Sequence, residues 1–319
     1  MITYILEEKI KRSKEIIKLA SEMSEYYYHK PLIITYSGGK DSDVMLQLAR
    51  ECLDKDGFEV LNSHTTLDAP ETVYYIRDKF KELEADGIKA TISYPRFADG
   101  SYKSIWALIE KKQIPPTRCA RYCCKELKET STPNRFVAVG VRSAESTGRR
   151  GRNVFSTRGA KKSEAFFYDD KHVKEVFEIA KEKQREAGGG NNDGNVWDCT
   201  FIKKAKENDD LITSPIYDWE DSDVWNFIHD RKMKYNPLYD KGFKRVGCIG
   251  CPLAGNQKKE LEMYPIYKLN YIRAFDRMLK RRKENRKDSK SWENGEEVFK
   301  WWIGDDSIDG QMNIDDFLN

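Results

Sequence analysis

The chain has 319 residues, of which 39% are apolar and 34% charged, and its formal net charge is +3. That length carries one large domain or two small ones around a buried core, and the near-balanced charge is no argument for nucleic acid by itself. No run of about eighteen apolar residues occurs, so no membrane-spanning helix is expected.

In chain order, residues 3–28 predict a helix, with Ile5, Ile10, Ile16, Ile17, Leu19 and Ala20 spaced between charges. This opening segment mixes acids with bases and lacks the apolar core of a signal peptide, so a cytoplasmic location is expected. "PLIITYS" reads as a short buried strand opened by Pro31, and "DVMLQLARECL" as a helix packing back on a sheet. "EVLNSHTT", "KATISYP" and "FVAVGV" read as further strands, separated by a helical stretch at 71–86 and by the region 101–130. Such alternation implies an α/β fold, a doubly wound parallel sheet with helices on both faces. After residue 143 the pattern breaks into a basic, Gly/Ser-rich insertion (about 147–210) containing "GGGNNDGN", expected to be mobile. "SPIYDWEDSDVWNFIHDRKM" then predicts a helix with an acidic start and Val224, Trp225 and Ile228 on one face. Trp219 and Trp225 are expected to pack the core. Residues 259–283 predict one long basic helix, and Trp292, Trp301 and Trp302 predict a tail that packs.

The junction "TYSGGKDSDV" runs from strand to helix through two glycines. Glycines let main-chain N–H groups approach an anion, and the helix N-terminus adds partial positive charge. The spacing is not that of a Walker A loop, which places four residues between its first glycine and Gly-Lys. S-G-G-K-D-S resembles the PP-loop of the ATP pyrophosphatases, which cut ATP between the α- and β-phosphates and transfer AMP to a substrate oxygen. By that resemblance Ser37, Gly38, Gly39 and Ser42 would hold pyrophosphate, Lys40 would neutralise it and Asp41 would help hold Mg²⁺.

Seven cysteines in a chain of this size read as a thiol set in a reducing compartment, not a disulfide framework. Cys52 and Cys199 stand alone, Cys119 lies near the adjacent pair Cys123–Cys124, and Cys248 and Cys251 form a C-x-x-C. Four thiolates from two segments suit either zinc or a 4Fe–4S cluster. Neighbouring side chains diverge, which a cubane with separate irons tolerates better than tetrahedral zinc, so the cluster is favoured and zinc is the lesser alternative. Cys119 has three readings: an alternative ligand, a reactive thiol or a small buried residue.

The pair followed far downstream by C-x-x-C resembles the cluster site of the adenylyl-sulfate and phosphoadenylyl-sulfate (PAPS) reductase family. "LDAPET", "VGVRSAES", "PIYDWEDSDVW" and "KYNPLYDKGFKRVGCIGCP" match stretches typical of it, in order, from about residue 30 to 255. The resemblance implies an adenine nucleotide alpha-hydrolase-like fold: an N-terminal helix (1–30), a PP-loop domain (31–255) and a mainly helical C-terminal extension (256–319). It also implies an adenine-nucleotide site, with Asp68 near the nucleotide and Gly140, Arg142 and Ser146 lining the crevice at the carboxyl ends of the strands. For Asp68 and Glu71 a role in the first turn of a helix is equally compatible. Arg149, Arg150 and Arg152 read two ways, as grips for a sulfate, phosphate or nucleic-acid backbone, or as a solvated basic loop.

Two features differ from an assimilatory reductase. The sequence has no cysteine after Cys251, where those reductases carry a nucleophile, and its glycine loop is intact where theirs is degraded. An intact loop with a cluster resembles the sulfur-inserting branch, which includes tRNA thiolases and the ATP pyrophosphatases of DNA phosphorothioation. The expected activity is therefore ATP cleavage to AMP and pyrophosphate in sulfur transfer. A sulfur donor such as a cysteine desulfurase and a nucleic-acid acceptor, touching the basic insertion or residues 271–287, would be its partners. The alternatives are a PAPS or adenylyl-sulfate reductase using an atypical cysteine such as Cys119, and a nucleotide-binding subunit with a structural cluster.

Overall fold

The computed structural model describes residues 4–129, 131–145, 154–158, 210–287 and 292–304. Its contacts divide the chain into two compact units that interleave in sequence: Met1–Asn62, Glu71–Ile92 and Thr132–Val246 in the first, Ser63–Pro70, Ser93–Ser131 and Gly247–Asn319 in the second.

The first unit is built on a sheet of order β3-β2-β1-β4-β6-β5, with β1 (Leu32–Thr35), β2 (Phe58–Ser63), β3 (Ala90–Ser93), β4 (Phe136–Ala138), β5 (Phe155–Arg158) and β6 (Asp210–Thr213). β1 pairs in parallel with both β2 and β4, and β4 with β6. Helices cover both faces, so the central strands need apolar side chains on both sides. Leu32, Ile33, Ile34, Phe136, Val137 and Ala138 are accordingly all buried. The doubly wound expectation holds, with one addition. β5 runs antiparallel to β6 at the edge, inside the stretch expected to be an irregular insertion. "FSTR" is short and carries no alternation strong enough to announce a strand.

Helix α1 (Tyr4–Tyr28) forms over the expected range and belongs to this core. Lys9 donates to Asp223 Oδ2 at 2.6 Å, and the buried Ser13 hydroxyl donates to the Pro215 carbonyl at 2.8 Å while receiving the Trp219 indole N–H at 3.0 Å. Trp219 is fully buried. Trp225 is half-buried, stacked on His229 and edge-on to Tyr235 and Tyr239. Helix α2 (Lys40–Cys52) turns Val44, Met45, Leu46, Leu48 and Ala49 inward. Burying each of the larger ones is worth about 1.5–3 kcal/mol as an upper bound, enough to hold the glycine turn before it firmly.

The second unit is mainly helical. It contains α4 (Ile105–Lys112), a short turn α5 (Tyr122–Cys124) continued by a π-helical turn at Lys125–Glu129, and, in the C-terminal region, α7 (Gln257–Met263), α8 (Pro265–Glu284) and α9 (Gly295–Ile303). The single helix expected over 259–283 is thus two helices. Pro265 lacks an N–H and disfavours helical geometry in its predecessor, and Tyr264 sits at φ −121° and ψ 71°. The aromatic tail packs as expected. Trp302 lies 4.5 Å from Tyr271 between ring centres, and its indole donates to the Pro116 carbonyl at 2.6 Å. Among the described residues no helix is long and apolar enough to cross a membrane.

Candidate functional site

β1 delivers the chain into Ser37-Gly38-Gly39. Gly38 adopts φ +71°, and a Cβ there would meet Ile76 at 2.9 Å, so the position admits only glycine. Gly39 caps α2 with extended geometry, and its carbonyl receives the N–H groups of Ser42 at 2.9 Å and Asp43 at 3.0 Å and the Ser42 hydroxyl at 2.7 Å. The Ser37 main-chain N–H also reaches the Ser42 hydroxyl at 3.2 Å. Asn236 fixes the outer side of the turn by donating to the Gly38 carbonyl at 2.9 Å. Gly140, just after β4, lies against the same turn, since a Cβ there would stand 3.0 Å from the Asp41 carbonyl.

Charge is concentrated at this helix start. The side chains of Lys40 and Arg142 are both only 4% exposed. Arg142 donates through Nε to Asp41 Oδ1 at 2.6 Å and through Nη2 to Asp221 Oδ1 at 2.9 Å, and Lys40 Nζ reaches that same Asp221 oxygen at 3.0 Å. Asp221 opens helix α6 (Asp221–Asp230). Burial works against the Asp221 charge, but Lys40 and Arg142 outweigh it and hold the carboxyl below its usual range. The Lys40 main-chain N–H donates to the Tyr239 hydroxyl at 2.9 Å.

Behind the loop, Asp43 is buried. The Tyr36 hydroxyl donates to its Oδ1 at 2.5 Å, and the Tyr75 hydroxyl lies 3.0 Å from Oδ1 and 2.9 Å from the Lys234 carbonyl, sharing one proton between them. Asp43 Oδ2 has no partner among the described residues. Burial dominates over the two hydroxyls and raises its pKa from 3.8 to about 7. The native state therefore holds this proton more tightly than the unfolded chain. The resulting stabilisation is complete below 3.8 and lost as pH rises through about 7. At about 1.4 kcal/mol per pH unit the change is on the order of 4 kcal/mol. Urea unfolding from about pH 4 to about pH 8 is expected to show this fall, and Asp43→Asn to flatten it; an equal slope in the variant contradicts the assignment.

The four paired cysteines all lie in the second unit, and each is half-buried. The C-x-x-C turn is tied to Leu67–Asp68 by a bridge between Asp68 and Cys248 and by the Ile249 N–H donating to the Leu67 carbonyl at 2.8 Å. Gly250, at φ +71°, lets the turn close over Leu261 and Tyr271. Arg118, upstream of the cysteine pair, donates to the Pro252 carbonyl at 3.1 Å. The Cys123 thiol hydrogen-bonds to Cys124, and Lys128 and Arg121 add positive charge. Cys124 is thereby lowered well below the usual thiol range, while Cys123 is pushed up. Burial raises Cys248 despite the nearby Lys128 ammonium, and that thiol in turn raises Lys128, which also senses Asp68, Cys124 and Cys251. Burial, with smaller contributions from Cys248, Cys251 and Cys123, raises the Tyr271 hydroxyl well above its usual range, and that hydroxyl donates to the Ile249 carbonyl at 3.2 Å. The two segments thus converge around Lys128 and Tyr271. Among the described residues, however, no three His, Cys, Asp or Glu side chains come together as a group able to hold a single metal ion.

A family model of the phosphoadenosine phosphosulfate reductase domain matches residues 31–254, more than half of the chain. The chain belongs to that family. An uncharacterized protein of Methanocaldococcus jannaschii is 27% identical over 82% of this chain and 51% of its own length. A second from the same organism is 28% identical over 70% of this chain and 36% of its own. The chain therefore spans about half the length, or less, of these curated relatives. The adenosine 5'-phosphosulfate reductase of Anoxybacillus flavithermus is 31% identical over 19% of this chain and 26% of its own. Among solved structures, PAPS reductase from Candida auris aligns at a TM-score of 0.39 with 15% identity, covering 78% of this chain and 96% of that one. The U34-tRNA thiolase NcsA from Methanococcus maripaludis with its [4Fe-4S] cluster aligns at 0.35 with 13% identity, covering 86% and 80%.

In this member of the PAPS reductase domain family the structure brings Ser37, Gly38, Gly39, Lys40, Asp41, Ser42, Gly140 and Arg142 together. Asp68 lies in the other unit beside Cys248, where its carboxylate accepts from the Thr65 hydroxyl at 2.8 Å. Glu71 lies in the first turn of helix α3 (Pro70–Ala85), as its first-turn reading has it, and accepts from Lys241 Nζ at 2.5 Å. Cys119 is exposed. Ser146, Arg149, Arg150, Arg152 and Cys199 lie outside the described residues, as does most of the stretch expected to be a mobile insertion. Asp221, Tyr239, Asn236, Asp43 and Lys128 were not singled out from the sequence. The first three lie within motifs that match the family, but residue type alone does not reveal a partner about 180 positions away.

Proposed function

We propose that this chain is a PP-loop ATP pyrophosphatase of the PAPS reductase domain family acting in sulfur transfer. The observation that carries the reading is the pairing of two buried cations, Lys40 and Arg142, with a glycine turn at a helix start. Ser37, Gly38, Gly39 and Ser42 hold the β- and γ-phosphates. An acceptor oxygen attacks the α-phosphorus, the bond from that phosphorus to the bridging oxygen breaks, and pyrophosphate leaves with its charge met by Lys40 and Arg142. The product is an adenylate on the acceptor oxygen; the terminal sulfur of a persulfide then attacks the atom bearing that oxygen, the bond to the oxygen breaks and AMP leaves, and a second thiol releases the thio product by forming a disulfide with the donor's sulfur. Mg²⁺, carried in with ATP, adds charge neutralisation beside Asp41.

Cys123, Cys124, Cys248 and Cys251 suit a 4Fe–4S cluster by donor type, with zinc as the lesser alternative. Bound there, a cluster would supply redox or sulfur-handling chemistry, and Lys128 would offset thiolate charge. A protein persulfide, such as that of a cysteine desulfurase, is the proposed donor, and an oxygen on a nucleic acid the proposed acceptor. On α8, Arg277 and Arg281 are already engaged with Glu110, so that helix contributes less charge to a nucleic-acid contact than its composition suggests.

A second reading, reduction of PAPS or adenylyl sulfate by the exposed Cys119, draws on the family match. Anaerobic assays on both substrates separate the two. AMP and pyrophosphate from ATP, with no sulfite from PAPS and a thiol donor, is the expected result; sulfite release with ATP left intact overturns it.

A further inference from the structure

The PP-loop described above is not open. One oxygen, Asp221 Oδ1, receives both Lys40 Nζ at 3.0 Å and Arg142 Nη2 at 2.9 Å. A second oxygen, Tyr239 Oη, takes the Lys40 main-chain N–H at 2.9 Å. An oxygen held between a lysine and an arginine has the surroundings of a bound phosphate oxygen, and the hydroxyl beside it occupies a helix-start N–H that a second such oxygen could take. Exposure gives the direction of approach. The two cations are 4% exposed, whereas the Asp221 side chain is 63% exposed, so the carboxylate caps them from the solvent side.

We propose that Asp221 is a stand-in for a phosphate oxygen, and that pyrophosphate or the nucleotide's phosphates bind by displacing its carboxylate from Lys40 and Arg142. The inference rests on the PP-loop reading and adds a residue to it. Lys40, Arg142, Asp41 and Asp221 together carry no net charge, so the loop has no excess positive charge to attract a phosphate chain until the carboxylate withdraws. Withdrawal is compatible with the fold. The capping box at the start of α6 is made by Glu220 and Asp223, and Asp221 has no part in it. The exchange keeps two buried cations paired when no nucleotide is present, which avoids the cost of leaving a buried charge alone.

Calorimetric titration of the full chain with inorganic pyrophosphate tests the proposal, first without metal and then with Mg²⁺. Asp221→Asn keeps the size of the side chain and removes the competing charge. It is expected to bind metal-free pyrophosphate about tenfold more tightly than the parent, a shift of about 1.4 kcal/mol. Asp221→Ala is expected to move in the same direction, and Glu84→Gln, an exposed acid on the same unit, to leave the affinity unchanged. Equal or weaker binding by both Asp221 variants, or an equal gain from Glu84→Gln, overturns the exchange. Lys40→Ala separates this failure from that of the underlying reading. If it binds pyrophosphate as well as the parent does, or if no variant binds at all, the PP-loop reading itself falls.

Discussion

Replacing Lys40 by alanine is expected to lower ATP cleavage to AMP by about 10²–10³-fold, the usual cost of deleting one preorganised charge at a developing anion. The side chain is buried at the start of α2, and its ammonium pairs with Asp41 and Asp221. Both carboxylates keep Arg142 when it is gone, so the fold tolerates the change. Iron and sulfide content should remain at the parental level, because the cysteines belong to the other unit. Steady-state product analysis beside an iron assay makes the comparison, and a Lys40→Ala protein that cleaves ATP normally removes the basis for assigning pyrophosphate to this loop.

Cys124→Ser is expected to do the reverse. The surroundings of Cys124, with Cys123 first and then Lys128 and Arg121, favour its thiolate. A serine hydroxyl is a far poorer soft-metal ligand. Anaerobically prepared parent should carry about four irons and about four sulfides per chain. The variant should lose most of both, while pyrophosphate binding measured by calorimetry stays within about twofold of the parent. Parental iron in Cys124→Ser, or a colourless parent containing zinc alone, contradicts the assignment of the four cysteines to a cluster.

Much of the first site was legible because it is local. The strand, the two glycines and the helix from Lys40 occur within about twenty consecutive residues, and each residue type has a physical reason at its place, as Gly38 at φ +71° illustrates. The cysteine pairs were legible from spacing, and α1 from its periodicity. What was not legible depends on distance in sequence or on a single competing residue. Asp221 reads as an ordinary acid in a helix's first turn until the fold brings it to Lys40 and Arg142. Asp43 reads as a polar face of α2 until Tyr36 and Tyr75 enclose it. The basic helix looked continuous because charges on both sides of Pro265 mask the break, and one missing N–H decides it. The edge strand β5 escaped because its pairing with β6, more than fifty positions on, supplies what its own four residues lack.

The bond that is cut decides the central claim. ATP labelled at the α-phosphorus, incubated anaerobically with the full chain and Mg²⁺ under single-turnover conditions, is predicted to place its label in AMP or an AMP adduct, with unlabelled pyrophosphate as the other product. Label recovered in ADP, with orthophosphate released, would mean that Lys40 and Arg142 serve the γ-phosphate and would contradict the account.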